Sequence, residues 1–132
     1  MSDRYRRGVE IAHELARGSL ERFCAGEVAE IAPDFARMVI EFTFGDLYSR
    51  EQLDLQAREK VAIAALASLG HIPQLRMHID AALRLGVARP EIVEILMQSA
   101  VYGGFPNALN AFTACHDLLA DSDAVEGPPG QP

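Results

Sequence analysis

The chain has 132 residues, 49% of them hydrophobic and 23% charged, and carries a net charge of −7. That length suits one domain with a core that needs no metal or disulfide staples, and the composition is too apolar for a disordered chain. The acidic balance argues against a nucleic-acid binder, which presents a basic face, and against attraction to an anionic membrane, so no nucleic acid and no membrane is expected among the partners.

In chain order, Ser2 to Gly18 lacks the apolar centre of a signal peptide and reads as a helix, with Val9, Ile11 and Leu15 on one stripe and Gly18 as its break. A short helical piece starts at Ser19, and Ala25 to Ile31 reads as a connector. Pro33 opens a second main helix, since a proline at the first helical position loses no hydrogen bond. Phe35, Met38, Val39, Phe42 and Leu47 recur along it at helical spacing, and Gly45 loosens its end.

The most regular helix follows. Asp54 is its N-cap and Gly70 its stop. Leu55, Val61, Ile63, Leu66 and Leu69 make it apolar on more than one side, as in a central helix. Another helix begins at Pro73 and closes at Gly86, and so short a turn predicts an antiparallel helix hairpin. Pro90 and Gly103-Gly104 bracket the next helix, which buries Ile92, Ile95, Leu96 and Ala100. The last runs from Pro106 to about Leu119.

Strand signals are absent, so the fold class is all-α: a single helical domain over residues 1–120, then an acidic, Pro/Gly-rich tail over 121–132 that is expected to be disordered. No apolar run has the length of a membrane span, and the expected location is the cytoplasm. The broad apolar faces leave surface for a subunit contact.

The stretch GHIPQLRMHIDAALRLG places His71, Gln74 and His78 at a spacing that can put all three on one helix face. His71 lies beside the helix N-terminus, where the dipole favours a neutral imidazole. Glu59 lies on the other arm of the hairpin. If the arms pack face to face, its carboxylate can orient the His78 ring and raise its basicity. From spacing alone, an ordinary amphipathic helix with scattered polar residues is the simpler account. In it His78 is a core histidine and Glu59 is solvated beside Lys60. No metal site is expected, because helical zinc pairs use histidines four apart and these are seven apart.

A second candidate is YGGFPNALNA, in which a glycine pair precedes a proline that starts a helix. Backbone N–H groups at Gly103 and Gly104, the Tyr102 phenol and the Asn107 amide can hold an anion there; a tight interhelical turn explains the glycines equally. Arg76 can reach an anionic substrate, or stay solvated. Phosphate loops and a nucleophile elbow are absent. Cys24 and Cys115, far apart in sequence and outside any CxxC, read as two buried or semi-buried thiols in a reducing compartment.

From about Phe35 to Phe112 the chain resembles the carboxymuconolactone decarboxylase family, most specifically in REKVAIAALASLG, PQLRMHIDAAL, PEIVEILMQ and YGGFPNALNA. The resemblance implies an alkylhydroperoxidase-D-like helical fold and a homo-oligomer, a trimer or a hexamer. Alkylhydroperoxidase-D-like members carry E-x11-C-x2-C-x3-H, with the cysteines as redox centre and Glu and His as proton relay. Here Glu59 and His78 match that pattern, while His71 and Gln74 stand at the cysteine positions. Without a thiolate pair there, disulfide cycling has no nucleophile.

The other members, which the length and YGGFPNALNA favour, resemble decarboxylases of 4-carboxymuconolactone. The implied activity is a cofactor-free carboxy-lyase acting on a small anionic substrate. His78 donates the proton with Glu59 orienting it, and His71, Gln74 or the Gly103 and Gly104 backbone holds the developing oxyanion. The alternatives are a thiol-redox peroxidase and a non-catalytic oligomeric binding protein.

Overall fold

The computed structural model describes residues 1–16 and 18–120. Every regular element among them is helical, in agreement with the patterning. The tail at 121–132 lies outside the described residues. No helix among the described residues is long and apolar enough to cross a membrane.

Helix α1 (Asp3–Leu15) is capped by Ser2, whose hydroxyl accepts from the Tyr5 N–H. Two short helices follow, α2 (Ser19–Cys24) and α3 (Glu27–Ile31). Helix α3 replaces the connector expected between Ala25 and Ile31. Five residues are too few for a 3.6-residue period to register in the sequence.

Helix α4 (Pro33–Val39) runs directly into a π-helical segment, Ile40–Tyr48. One continuous helix was the expectation here, and the wider winding of its second half is a correction. The close approach of α1 accompanies that winding. A Cβ on Gly45 would lie 2.1 Å from the Arg4 carbonyl oxygen, and one on Gly8 would lie 2.4 Å from that of Ile40. The two helices thus meet backbone to backbone. Arg4 Nε donates to Asp46 at 3.0 Å, and Ser2 Oγ donates to Glu41 at 2.7 Å. The Gly45 carbonyl accepts from Ser49 Oγ at 2.6 Å and Arg7 Nε at 3.3 Å. This stretch buries Ala36, Ile40 and Gly45, while Phe35, Met38, Phe42 and Leu47 stay exposed.

The second half comprises α5 (Leu55–Leu69), α6 (Ile72–Arg84), α7 (Arg89–Gly103), α8 (Phe105–Ala114) and α9 (His116–Leu119). Asp54 caps α5 by accepting from the Ala57 N–H at 2.8 Å. Gly70, at φ 75°, ends it: its N–H bonds to Ala67 and that of His71 to Leu66. Gly86 closes α6 in the same way, through Leu83 and Ala82. Helix α5 packs against α6, α7 and α8. The core joins Ile63 and Ala67 of α5 to Leu75, Ile79 and Ala82 of α6, Ile92 and Leu96 of α7, and Cys115. Val61 and Leu69, apolar positions of the central helix, are exposed. Gly103 lets α7 touch α5, since a Cβ there would sit 2.4 Å from Ser68 Cα.

Gly45→Ala drives a methyl group into the α1 backbone. The expected result is a loss of about 1–3 kcal/mol of stability, measured from the urea midpoint. An unchanged midpoint would mean that α1 does not seat against the π-helical segment.

Candidate active site

Ile63 lies four positions after Glu59, and Ala67 four positions after Ile63. One face of α5 therefore carries all three into the core, and Glu59 is 0% exposed. An ionised carboxylate in that position needs a partner. Helix α6 supplies one. Its buried positions Leu75, Ile79 and Ala82 seat it on α5, and His78, adjacent to Ile79, brings Nδ1 to 2.6 Å from Glu59 Oε2. The His78 side chain keeps 25% of its surface exposed, so the pair spans from core to solvent. An Nδ1–H donated to the carboxylate fixes the ring orientation and leaves Nε2 as the nitrogen for proton transfer. The solvated Glu59–Lys60 arrangement does not occur: Lys60 Nζ pairs with Glu91 of α7.

The other Glu59 oxygen, Oε1, is buried without a hydrogen-bond partner, as is Arg58 Nε. Arg58 is itself buried. Its Nη2 donates to the Arg50 carbonyl at 3.1 Å, and its guanidinium carbon lies 5.8 Å from the centre of the Tyr48 ring. Tyr48 closes the π-helical segment and packs edge-on against Phe44, with ring centres 5.4 Å apart. Burial first, and then the negative charge of Glu59, push the Tyr48 phenol up to about 12, while Arg58 opposes the shift. Neither Arg58 nor Tyr48 is signalled in the sequence. Tyr48 comes near Glu59 only through the packing of the N-terminal helices.

The remaining candidate residues are dispersed among other tasks. His71 occupies the N-cap position of α6 without a side-chain capping bond, and it is exposed, as is Gln74. Arg76 forms a two-pronged pair with Asp117 at 2.7 and 2.9 Å and also donates to the Ala114 carbonyl, tying α6 to the C-terminal end of the domain. The Gly104 N–H is not free as the glycine turn suggested: it donates to the Ala100 carbonyl at 3.0 Å. Asn107 Nδ2 donates to Ser68 at 2.8 Å and Gly103 at 3.2 Å, so its amide fastens α8 to the ends of α5 and α7. Tyr102 is exposed beside a groove of about 260 Å³ between α5 and α7, which Lys60, Val61, Ala64, Ile95 and Gln98 also line. Neither Glu59 nor His78 lines that groove.

The burial expected of both thiols holds for Cys115 and not for Cys24. Cys115 is buried in the main core, where burial raises its pKa, while Cys24 is exposed. Among the described residues, no group of three or more His, Cys, Asp or Glu side chains is placed to hold a metal ion.

Residues 33–117 match the carboxymuconolactone decarboxylase family, and the chain belongs to that family. It is 28% identical over 118 residues to a protein named 4-carboxymuconolactone decarboxylase from Acinetobacter baylyi, covering 89% of this chain and 88% of the relative. It is 30% identical over 120 residues to an uncharacterized 15.0 kDa protein in the nqo9-nqo10 intergenic region of Paracoccus denitrificans, covering 87% and 90% respectively.

Two pH responses follow from the charges. The folded state holds the Tyr48 phenol up to about 12 against an ordinary 10.0, so its contribution to stability is complete below pH 10 and is lost as pH rises through about 12. Urea midpoints at pH 9 and pH 11 are expected to fall further in the wild type than in Tyr48→Phe; equal falls would place Tyr48 outside this environment. The hydrogen bond from Arg76 draws Asp117 down to about 2 from 3.8, so that contribution is present above pH 3.8 and is lost as pH falls through about 2. Asp117→Asn is expected to flatten the acid limb of the stability curve; an unaltered limb would mean that the pair is broken in solution.

Proposed function

We propose that this family member is a cofactor-free carboxy-lyase. It acts by general acid–base chemistry on a small carboxylated lactone, or a related intermediate of aromatic breakdown, of the kind named for the Acinetobacter baylyi relative. The observation that carries this reading is the 2.6 Å contact between the buried Glu59 carboxylate and His78, at the two positions that match the Glu and His of the alkylhydroperoxidase-D-like members' motif. His71 and Gln74 stand where thiol-dependent members have cysteines. In the reaction, the bond to the departing carboxylate breaks and its electron pair flows through the unsaturated lactone into the carbonyl oxygen. Carbon dioxide leaves and a dienolate remains. His78 gives a proton to a ring carbon of the dienolate and takes one back from solvent, so the cycle consumes one proton. His71 and Gln74, exposed at the start of α6, are the side chains assigned to hydrogen-bond the developing oxyanion.

Purified protein is expected to consume 4-carboxymuconolactone, and His78→Ala is expected to lower kcat/KM by about 10²–10⁴-fold. An absence of turnover at high enzyme concentration would reject this substrate, and full activity in His78→Ala would reject the mechanism. The thiol-redox alternative requires Cys24 and Cys115, and replacing both with serine separates it from the present reading, which expects unchanged activity.

The reading extends to a single helical domain over residues 1–120, located in the cytoplasm, with the alkylhydroperoxidase-D-like hairpin at its centre and a trimer or hexamer as the working form. Exposed Ile31, Phe35, Met38 and Phe42, spaced four, three and four residues apart, support self-association, as do exposed Val101, Tyr102, Phe105 and Leu109. Light scattering is expected to return three or six times the chain mass, and Phe35→Asp with Phe42→Asp to lower it. A monomeric wild type would overturn the proposal.

A further inference from the structure

We infer that an apolar ridge on α4 and the π-helical segment of one copy seats in the groove between α5 and α7 of a second copy, head to tail. The inference names the contact behind the self-association read above and rests on that reading. Phe35 and Met38 of α4 and Phe42 of the π-helical segment follow one another at three and four residues, so they share one helical face. All three are more than half exposed, as is Ile31 at the end of α3. The same stretch buries Ala36, Ile40 and Gly45, so its inward positions are used within the chain. The charges beside the ridge are also engaged. Asp34 pairs with Arg37, and Glu41 binds Ser2 and Arg4. A partner can therefore cover the ridge without stranding a lone charge.

The groove has the complementary shape. Helices α5 and α7 pack together, and small side chains at Ala64, Ser68 and Ser99 leave about 260 Å³ open between them. Ser99 is buried while Val61 and Tyr102 are exposed, so the groove runs inward from an apolar and aromatic rim. Lys60, at its edge, is paired with Glu91, and Ser99 Oγ donates to the Leu96 carbonyl at 2.6 Å. What the groove offers a partner is mainly apolar. Its volume is below the roughly 300–1,000 Å³ of small-molecule pockets. It is open along one side, which suits side chains carried in on a helix.

Area and shape both favour a second copy as the occupant. A phenylalanine presents about 150–250 Å² when wholly exposed, so the four ridge side chains offer on the order of 500 Å². A standard interface takes roughly 800 Å² from each partner, of which roughly 450 Å² is apolar. The ridge alone meets that apolar share. On the groove side, Tyr102 continues the rim toward exposed Val101, Phe105 and Leu109. Ridge against ridge would set convex on convex and leave the groove empty. Ridge in groove fills both, as side-chain rows of one helix fill the spaces between rows of its neighbours. The two patches lie on different elements, so the contact is heterologous. Each copy then offers one ridge and one groove, and a rotation that closes makes a ring.

Light scattering on the full chain and its variants tests the contact, with circular dichroism reporting the fold. Phe35→Asp with Phe42→Asp disables the ridge, and Ala64→Arg fills the groove. Each variant alone is expected to have a lower mass than the wild type. Their equimolar mixture is expected to be heavier than either alone by about twofold or more. The reason is that the groove variant keeps an intact ridge and the ridge variant keeps an intact groove. A mixture no heavier than its parts would overturn this contact and leave self-association standing. An oligomeric wild type whose mass Ala64→Arg does not change would do the same, and would assign the groove to a different occupant. A monomeric wild type would overturn both readings. If Ala64→Arg does not fold, Val61→Asp with Tyr102→Asp, both at exposed positions, takes its place with the same outcomes.

Discussion

A carboxylate withdrawn from water is tolerated only where other groups replace its lost hydration. Glu59 lies fully inside the α5 face that also buries Ile63 and Ala67, so α6 must bring a polar partner to that level of the core. His78 does so at 2.6 Å. The same requirement explains the neighbourhood. The next residue back in the chain, Arg58, is also buried, and the Tyr48 ring and the Arg50 carbonyl hold its guanidinium. The pair links the core to solvent through the partly exposed His78 ring, an arrangement suited to moving a proton.

The N-terminal helices contribute through geometry. Gly8 and Gly45 let α1 lie against the π-helical segment at backbone distance, and Arg4, Arg7, Ser2 and Ser49 bind its polar groups. That segment ends at Tyr48, the aromatic platform for Arg58. A π-helix turns more slowly per residue than an α-helix, so the winding sets the direction in which Tyr48 projects. The N-terminal layer thereby supplies the ring on which the Arg58 guanidinium rests.

The helix ends were legible because their signals are local. Asp54, Pro73, Gly70 and Gly86 act through their own backbone or a hydrogen bond within a turn. The π-helical winding was not legible, because it accompanies contacts with α1 some forty residues earlier. Nor was the exposure of Phe35, Met38 and Phe42, since helical spacing places residues on one face without saying what covers that face. At YGGFPNALNA the glycines looked like an anion cradle. Packing commits the Gly104 N–H to Ala100 and the Asn107 amide to Ser68 and Gly103, so the hydrogen bonds hold helices together.

The sequence by itself determined the all-helical class, the helix-stop grammar and the family membership, because periodicity, caps and motif spacing are properties of short stretches. It also named Glu59 and His78 as a matched pair. Only the tertiary structure decided that Glu59 is buried and that His78 reaches it. It alone buried Arg58 and set its guanidinium over the Tyr48 ring. Burial and charge proximity depend on how distant segments pack, and no local pattern encodes the side chain that will face a given residue across a helix interface.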